Sequence, residues 1–182
     1  MRVVRSKTWT GKLFSLMKIA VLSDSHDHLE NIECALRQLT ELGAEALLFL
    51  GDFCAPFSLH LMAEKFSEGP IHVVFGNNDG DAFLLCRVAS SFSHVQLHGH
   101  YAELSMGDRR IAIFHYPDVA RRIAESGQLD AVFSGHDHQT YIHRLGKTLW
   151  ANPGEVMGRY GKASFGIYDS IAHDFTHHLI AP

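Results

Sequence analysis

Apolar residues along the chain gather in short runs, and each run stops at a polar cluster. Ile19–Ser23 runs into Asp24-Ser25-His26-Asp27-His28, Ala46–Leu50 into Gly51-Asp52, and Ile71–Phe75 into Gly76-Asn77-Asn78-Asp79-Gly80. A continuous apolar run of this length between turn signals predicts a buried strand. Between the runs the period changes. From Asn31 to Leu42 the residues Ile32, Ala35, Leu36 and Leu39 recur at helical spacing, and Gly43 supplies a stop. Further helices are predicted over Ser58–Phe66 and from about Ala82 to Ala89. Strand, loop and helix thus repeat three times. That alternation predicts parallel strands with right-handed crossovers. In such a sheet the loops beyond the carboxyl ends of the strands line the binding crevice.

The second half is β-rich. Tyr101–Ser105 and Arg110–Phe114 read as a hairpin around Met106-Gly107-Asp108-Arg109, and a helix follows Pro117. Ala131–Phe133 leads into Gly135-His136-Asp137-His138. Short strands are predicted near Thr140–Arg144, Thr148–Ala151, Ser164–Tyr168 and Asp174–Ile180, as a second sheet packed on the first. The class is therefore α/β, or α+β by a stricter scheme.

Length and charge narrow the picture. The 182 residues suit one domain, and 46% hydrophobic with 20% charged residues can build a core. Residues 17–182 are read as that domain. Residues 1–16 are read as a basic extension, with Arg2, Arg5, Lys7 and Lys12 and no acid. No apolar run approaches the ~20 residues of a membrane helix. A net charge of −4 argues against long nucleic acids as partners. Cys34, Cys54 and Cys86 are odd in number and lack CxxC spacing, so they are expected as reduced thiols in a cytoplasmic protein. Any metal ligands must then be His, Asp or Asn.

Histidine, at 14 residues, is abundant, and its placement matters more than its number. Asp24, His26, Asp52, Asn77, His115, His136 and His138 all fall at predicted strand ends. Together they offer two carboxylates, one amide oxygen and four imidazoles. That exceeds one ordinary zinc site and suits two divalent ions sharing a carboxylate: manganese first, then iron, nickel or zinc. Two such ions clamp a phosphoryl group and activate water. Taken singly, Asp-x-His, Gly-Asp or His-x-His is a weak signal. Their joint occurrence in this order is not.

The ordered set Asp-x-His, Gly-Asp, Gly-Asn-x-Asp, a later His and Gly-His-x-His resembles the calcineurin-like metallophosphoesterase superfamily. Residues 23–28, 76–80 and Asn152-Pro153-Gly154 resemble its small bacterial and archaeal phosphodiesterase branch. The resemblance implies a four-layer αββα sandwich of two mixed β-sheets flanked by helices. It also implies one metal held by Asp24, His26 and His138, and a second held by Asn77, His115 and His136. Asp52 would bridge them, and a bridging hydroxide would attack phosphorus in line. Asp79 would orient ligands or substrate. A non-catalytic interaction module is the competing class, since a retromer subunit shares the fold. A phosphomonoesterase, nucleotide hydrolase or nuclease of the same fold is the narrower alternative.

The chain departs from the family pattern at two points. Position 78 is Asn, where many monoesterases of the superfamily carry His, and Asn has no proton to give at neutral pH. That favours phosphodiesters as the small substrate. Tyr116-Pro117 follows His115 in place of the usual Gly. Arg159, in the glycine-rich stretch 154–161, is a candidate phosphate binder, and His28 a candidate outer donor. Exposed edge strands are compatible with a homodimer.

Overall fold

A computed structural model describes residues 17–181. The basic residues 1–16 lie outside them. The first sheet has the order β11-β10-β1-β2-β3-β4, and the second β5-β6-β7-β9-β8. In the first, β1 (Lys18–Leu22), β2 (Ala46–Phe49), β3 (Ile71–Val73) and β4 (Val95–Leu97) run parallel. They are joined by α1 (Leu29–Glu41), α2 (Pro56–Lys65) and α3 (Ala82–Ser90). The second sheet holds β5 (Tyr101–Met106), β6 (Arg109–Phe114), β7 (Ala131–Phe133), β8 (Thr140–Leu145) and β9 (Thr148–Pro153), with α4 (Pro117–Glu125) between β6 and β7.

Two expectations are corrected. The strands β10 (Ser164–Asp169) and β11 (Asp174–Leu179) belong to the first sheet, where β10 pairs antiparallel with β1. Periodicity predicts that a segment is a strand and says nothing about which edge it joins. The apolar pattern also does not predict the fourth parallel strand, β4. It has three residues, and only Val95 is buried.

Alternation of side chains builds the layers. Ala20, Leu22, Leu47, Phe49, Ile71 and Val73 face Ile32, Leu36, Leu39, Leu59 and Met62 of the helices. On the opposite face, Ile19, Val21, Ala46 and Leu48 meet Ile111, Ile113, Phe133 and Leu149 of the second sheet. Beyond that sheet Ala112, Val132 and Trp150 pack on Ala120 and Ala124 of α4. These three apolar interfaces give the αββα order. They also leave β1, β2, β3, β6, β7 and β9 with their carboxyl ends at one rim.

Candidate metal centre

Backbone pairing continues past the strand ends and zips the loops together. The Asp24 N–H donates to Gly51 O at 3.0 Å, His26 N–H to Asp52 O at 3.0 Å, and Gly135 N–H to His115 O at 3.0 Å. The chain must turn sharply to do this. Among the described residues, seven of the ten non-glycine residues with positive φ are Asp24, His26, Asp27, Asp52, Cys54, His136 and His138. Each such residue costs about 1 kcal/mol or more. Strain is therefore concentrated where the polar residues converge. Close approach also demands glycine at two places. A Cβ on Gly76 would overlap the Asp52 carboxylate, and one on Gly135 would overlap Ser23 Oγ.

The seven strand-end residues meet in one cluster. Ligand atoms of Asp24, His26 and His138 lie within 4.8 Å of one another, as do those of Asp24, Asp52 and His115. Asn77 and His136 extend the second group, with Asn77 Oδ1 at 3.1 Å and His136 Nδ1 at 3.2 Å from His115 Nε2. The two groups share Asp24. Asp52 also spans them, with Oδ2 3.7 Å from His26 Nε2 and 3.5 Å from His115 Nε2.

The imidazoles are aimed from behind. His115 Nδ1 contacts Leu50 O at 2.8 Å, and His138 Nδ1 contacts a Glu155 carboxylate oxygen at 2.7 Å. Donation through Nδ1 leaves each Nε2 facing the cluster, the arrangement of a metal-ligating histidine. His26 Nδ1 lies 3.5 Å from Cys54 Sγ. Two atoms of the cluster, Asp24 Oδ1 and His26 Nε2, are buried with no hydrogen-bond partner. Leaving such atoms unsatisfied costs about 1–3 kcal/mol each. The residues fit a divalent cation, which would satisfy both.

The electrostatics point the same way. Burial pushes the Asp24 carboxyl up. Burial also opposes ionisation of Asp52, but hydrogen bonds from His115 and Asn78 outweigh it and hold that carboxyl well below the usual range. Burial disfavours a charged His115, yet the Asp52 hydrogen bond and the fields of Asp24 and Asp52 raise its pKa. The cluster thus draws positive charge inward, as a proton or as a metal ion.

Asn78, Asp79, His28 and Arg159 stand outside this cluster. The Asn78 amide is committed to Asp52, with its backbone N–H donating at 2.8 Å and its side chain at 2.7 Å. Asp79 accepts from the backbone N–H groups of Asp52, Phe53, Cys54 and Gly76 at 2.7–3.0 Å. It clamps two strand-end loops together. His28 caps α1, its Nδ1 accepting from Asn31 N–H at 3.3 Å. Arg159 is exposed, and with His26, Asp27 and His28 it lines a cleft of about 560 Å³ beside the cluster. Tyr116 packs its ring on His115 and His136 at 5.1 and 4.9 Å and leaves both imidazoles in place.

Glu155, fully buried behind His138, is a residue of this site that the sequence motifs do not single out. A signal for it exists: it is an acid directly beyond a strand, β9, whose end reaches the same rim. Asn152 stands out in the sequence only as part of a motif. Its amide holds Gly135 O at 2.9 Å and an Asp137 carboxylate oxygen at 2.7 Å, shaping the loop that carries His136 and His138.

Comparison with known proteins agrees with this fold. Phosphodiesterase MJ0936 of Methanocaldococcus jannaschii is 28% identical over 159 residues, which is 85% of this chain and 93% of that protein. A solved archaeal protein described as a novel phosphodiesterase superposes with a TM-score of 0.82 at 28% identity, covering 90% of this chain and 99% of its own. Wild-type Vps29 from Entamoeba histolytica, solved in complex with Zn²⁺, shares the fold with a TM-score of 0.61 at 16% identity, covering 89% and 97%. Residues 17–171 match the model of the calcineurin-like phosphoesterase superfamily domain, and the chain belongs to that superfamily.

Proposed function

We infer that the protein is a phosphodiesterase that works with two divalent metal ions, manganese first, on a small phosphodiester. The observation that carries the reading is the cluster of seven strand-end side chains, in which Asp24 Oδ1 and His26 Nε2 are buried and unsatisfied. The phosphodiesterase description that the archaeal likeness at 28% identity carries supports the substrate class. Asp24, His26 and His138 would hold one ion and Asn77, His115 and His136 the other, with Asp52 between them. When bound, the ions supply Lewis acidity, an acidified water for in-line attack, and charge neutralisation at phosphorus.

The chain's own residues do the positioning. Glu155 and Leu50 O accept hydrogen bonds from Nδ1–H of His138 and His115 and so fix which nitrogen faces inward. Asn78 holds both carboxylate oxygens of Asp52. It is a positioning residue here, and it has no proton to offer a leaving group. This favours diesters and activated esters. Arg159 and His28 bind a non-reacting phosphate oxygen from the side of the cleft. A cytoplasmic location belongs to this reading, supported by the free Cys34, Cys54 and Cys86. Among the described residues no helix is long and apolar enough to cross a membrane.

A second reading, a protein-interaction module, draws on the Vps29 likeness. That neighbour shares the fold and was solved with Zn²⁺, so metal binding alone is not the test that separates the two readings. The deciding experiment strips the protein with chelator. It then compares bis-p-nitrophenyl phosphate with p-nitrophenyl phosphate, with and without manganese. Manganese-dependent cleavage preferring the diester is the expected result. Preference for the monoester would overturn the substrate class, and no cleavage with manganese, nickel, zinc or iron would favour the interaction module.

A further inference from the structure

Tyr160 is 75% exposed, so the fold gains little from burying it. Its ring nevertheless has a defined place. It makes a T-shaped contact with the imidazole of His138, with centroids 5.1 Å apart and the planes at 83°. The loop that carries it, Gly158-Arg159-Tyr160-Gly161-Lys162, is pinned at its base. The backbone N–H groups of Tyr160 and Gly161 both donate to Glu155 Oε1 at 2.6 Å. The other oxygen of the same carboxylate takes His138 Nδ1 at 2.7 Å.

One fully buried carboxylate therefore fixes both a ligand ring of the cluster and the loop beside it. Burying a charge is costly unless it is fully hydrogen-bonded. Three donors meet that requirement for Glu155, and all three belong to the rim of the site. The outer side of the loop is left for something else. Arg159 lines the cleft together with His26 and His28, and the exposed ring of Tyr160 stands next to His138. A guanidinium suits an anion, and an exposed ring suits a planar partner.

We propose that Tyr160 is a specificity residue that stacks on a planar, nucleobase-sized substituent of the phosphodiester, and that Glu155 holds it in register with His138. This rests on the phosphodiesterase reading above and names the substrate class of the same site. The substituent stacks while phosphorus lies at the cluster. A diester with only small aliphatic groups forgoes that contact.

The test uses two esters with one leaving group, the p-nitrophenyl ester of thymidine monophosphate and methyl p-nitrophenyl phosphate. The metal-loaded protein is expected to favour the thymidine ester in kcat/KM by about tenfold, within the range of base–aromatic stacking. Tyr160→Ala should remove that preference by raising KM for the thymidine ester about tenfold more than for the methyl ester, while Tyr160→Phe retains it. Equal kcat/KM for the two esters in the unaltered protein, or an equal loss on both in Tyr160→Ala, would overturn the proposal. Calorimetric titration with thymidine monophosphate, against methyl phosphate, separates the two readings. If no ester is hydrolysed, the phosphodiesterase reading fails, and the titration still decides on Tyr160. Nucleotide affinity that drops about tenfold in Tyr160→Ala supports it. Unchanged affinity, or no nucleotide binding, refutes it.

Discussion

His115 and His136 place their ring centroids 5.0 Å apart at the strand ends, and His72 and His98 place theirs 5.1 Å apart alongside β3 and β4. Both pairs bring ring nitrogens close, at 3.2 Å and 2.9 Å. Their electrostatics are opposite. Around His115 the carboxylates of Asp52 and Asp24 outweigh burial and raise the pKa. Around His72 burial acts with the neighbouring His98 to push the pKa down to about 4, and burial lowers His98 as well. Histidine density alone therefore does not make a cation site. Carboxylates within reach do, because they offset the desolvation that otherwise expels positive charge.

The comparison breaks most visibly at Asp52. Asp52→Asn should lower manganese-dependent diester hydrolysis by at least about a thousandfold, since it removes the charge between the two ligand groups. His72→Phe should leave the rate within about threefold, because no carboxylate there recruits a cation. Steady-state kinetics beside a metal count on the purified variants distinguishes them. If both variants lost activity equally while still folded, the contrast would fail.

Metal linkage comes next. Manganese at a hundred to a thousand times its Kd should stabilise the protein by about 3–4 kcal/mol, a rise in Tm of about 10 °C. His115→Ala should lose most of this increment and His72→Phe should keep it. Thermal melts of chelator-stripped and reloaded protein read both.

The His72 pair should mark itself through pH. Its folded pKa lies below the unfolded value, so the neutral ring favours the folded state. The contribution is intact above pH ~6.5 and is lost as pH falls toward about 4, by roughly 3 kcal/mol in all. Carboxylates titrate in the lower part of this window, so the useful quantity is a difference. Subtracting the denaturation profile of His72→Phe from that of the unaltered protein should leave a loss on acidification. A flat difference would remove burial as the cause.

The smallest expected effect sharpens the site itself. Glu155→Gln keeps the shape but weakens the hold on His138 Nδ1, and should reduce metal affinity about 10–100-fold. Competition with a chromophoric chelator measures it. Affinity unchanged in a folded variant would mean that Leu50 O and the remaining ligands position the cluster without Glu155.

Much of the site is legible in the amino-acid sequence. Apolar runs ending in Gly-Asp, Gly-Asn or Asp-x-His mark strands that deliver polar residues to a rim, and all seven residues marked this way converge. Asp79, Asn78 and His28 are legible as neighbours of that rim. Their contacts are not, since a clamp, a hold on Asp52 and a helix cap leave similar marks in a sequence. Glu155 escapes because a single acid after an apolar strand is a weak local signal. Its partners His138 and Tyr160 lie on separate loops.

The sequence by itself determined every strand but β4, the crossovers and which side chains are candidate ligands, because those follow from local periodicity and from which side chains carry lone pairs. Only the tertiary structure decided that β10 joins β1 at the first sheet. It alone showed that Glu155 ties a ligand to the Tyr160 loop. Those depend on distances between residues far apart in the chain, set by how three apolar interfaces stack four layers. Local pattern specifies each layer, and packing alone brings their edges to one rim.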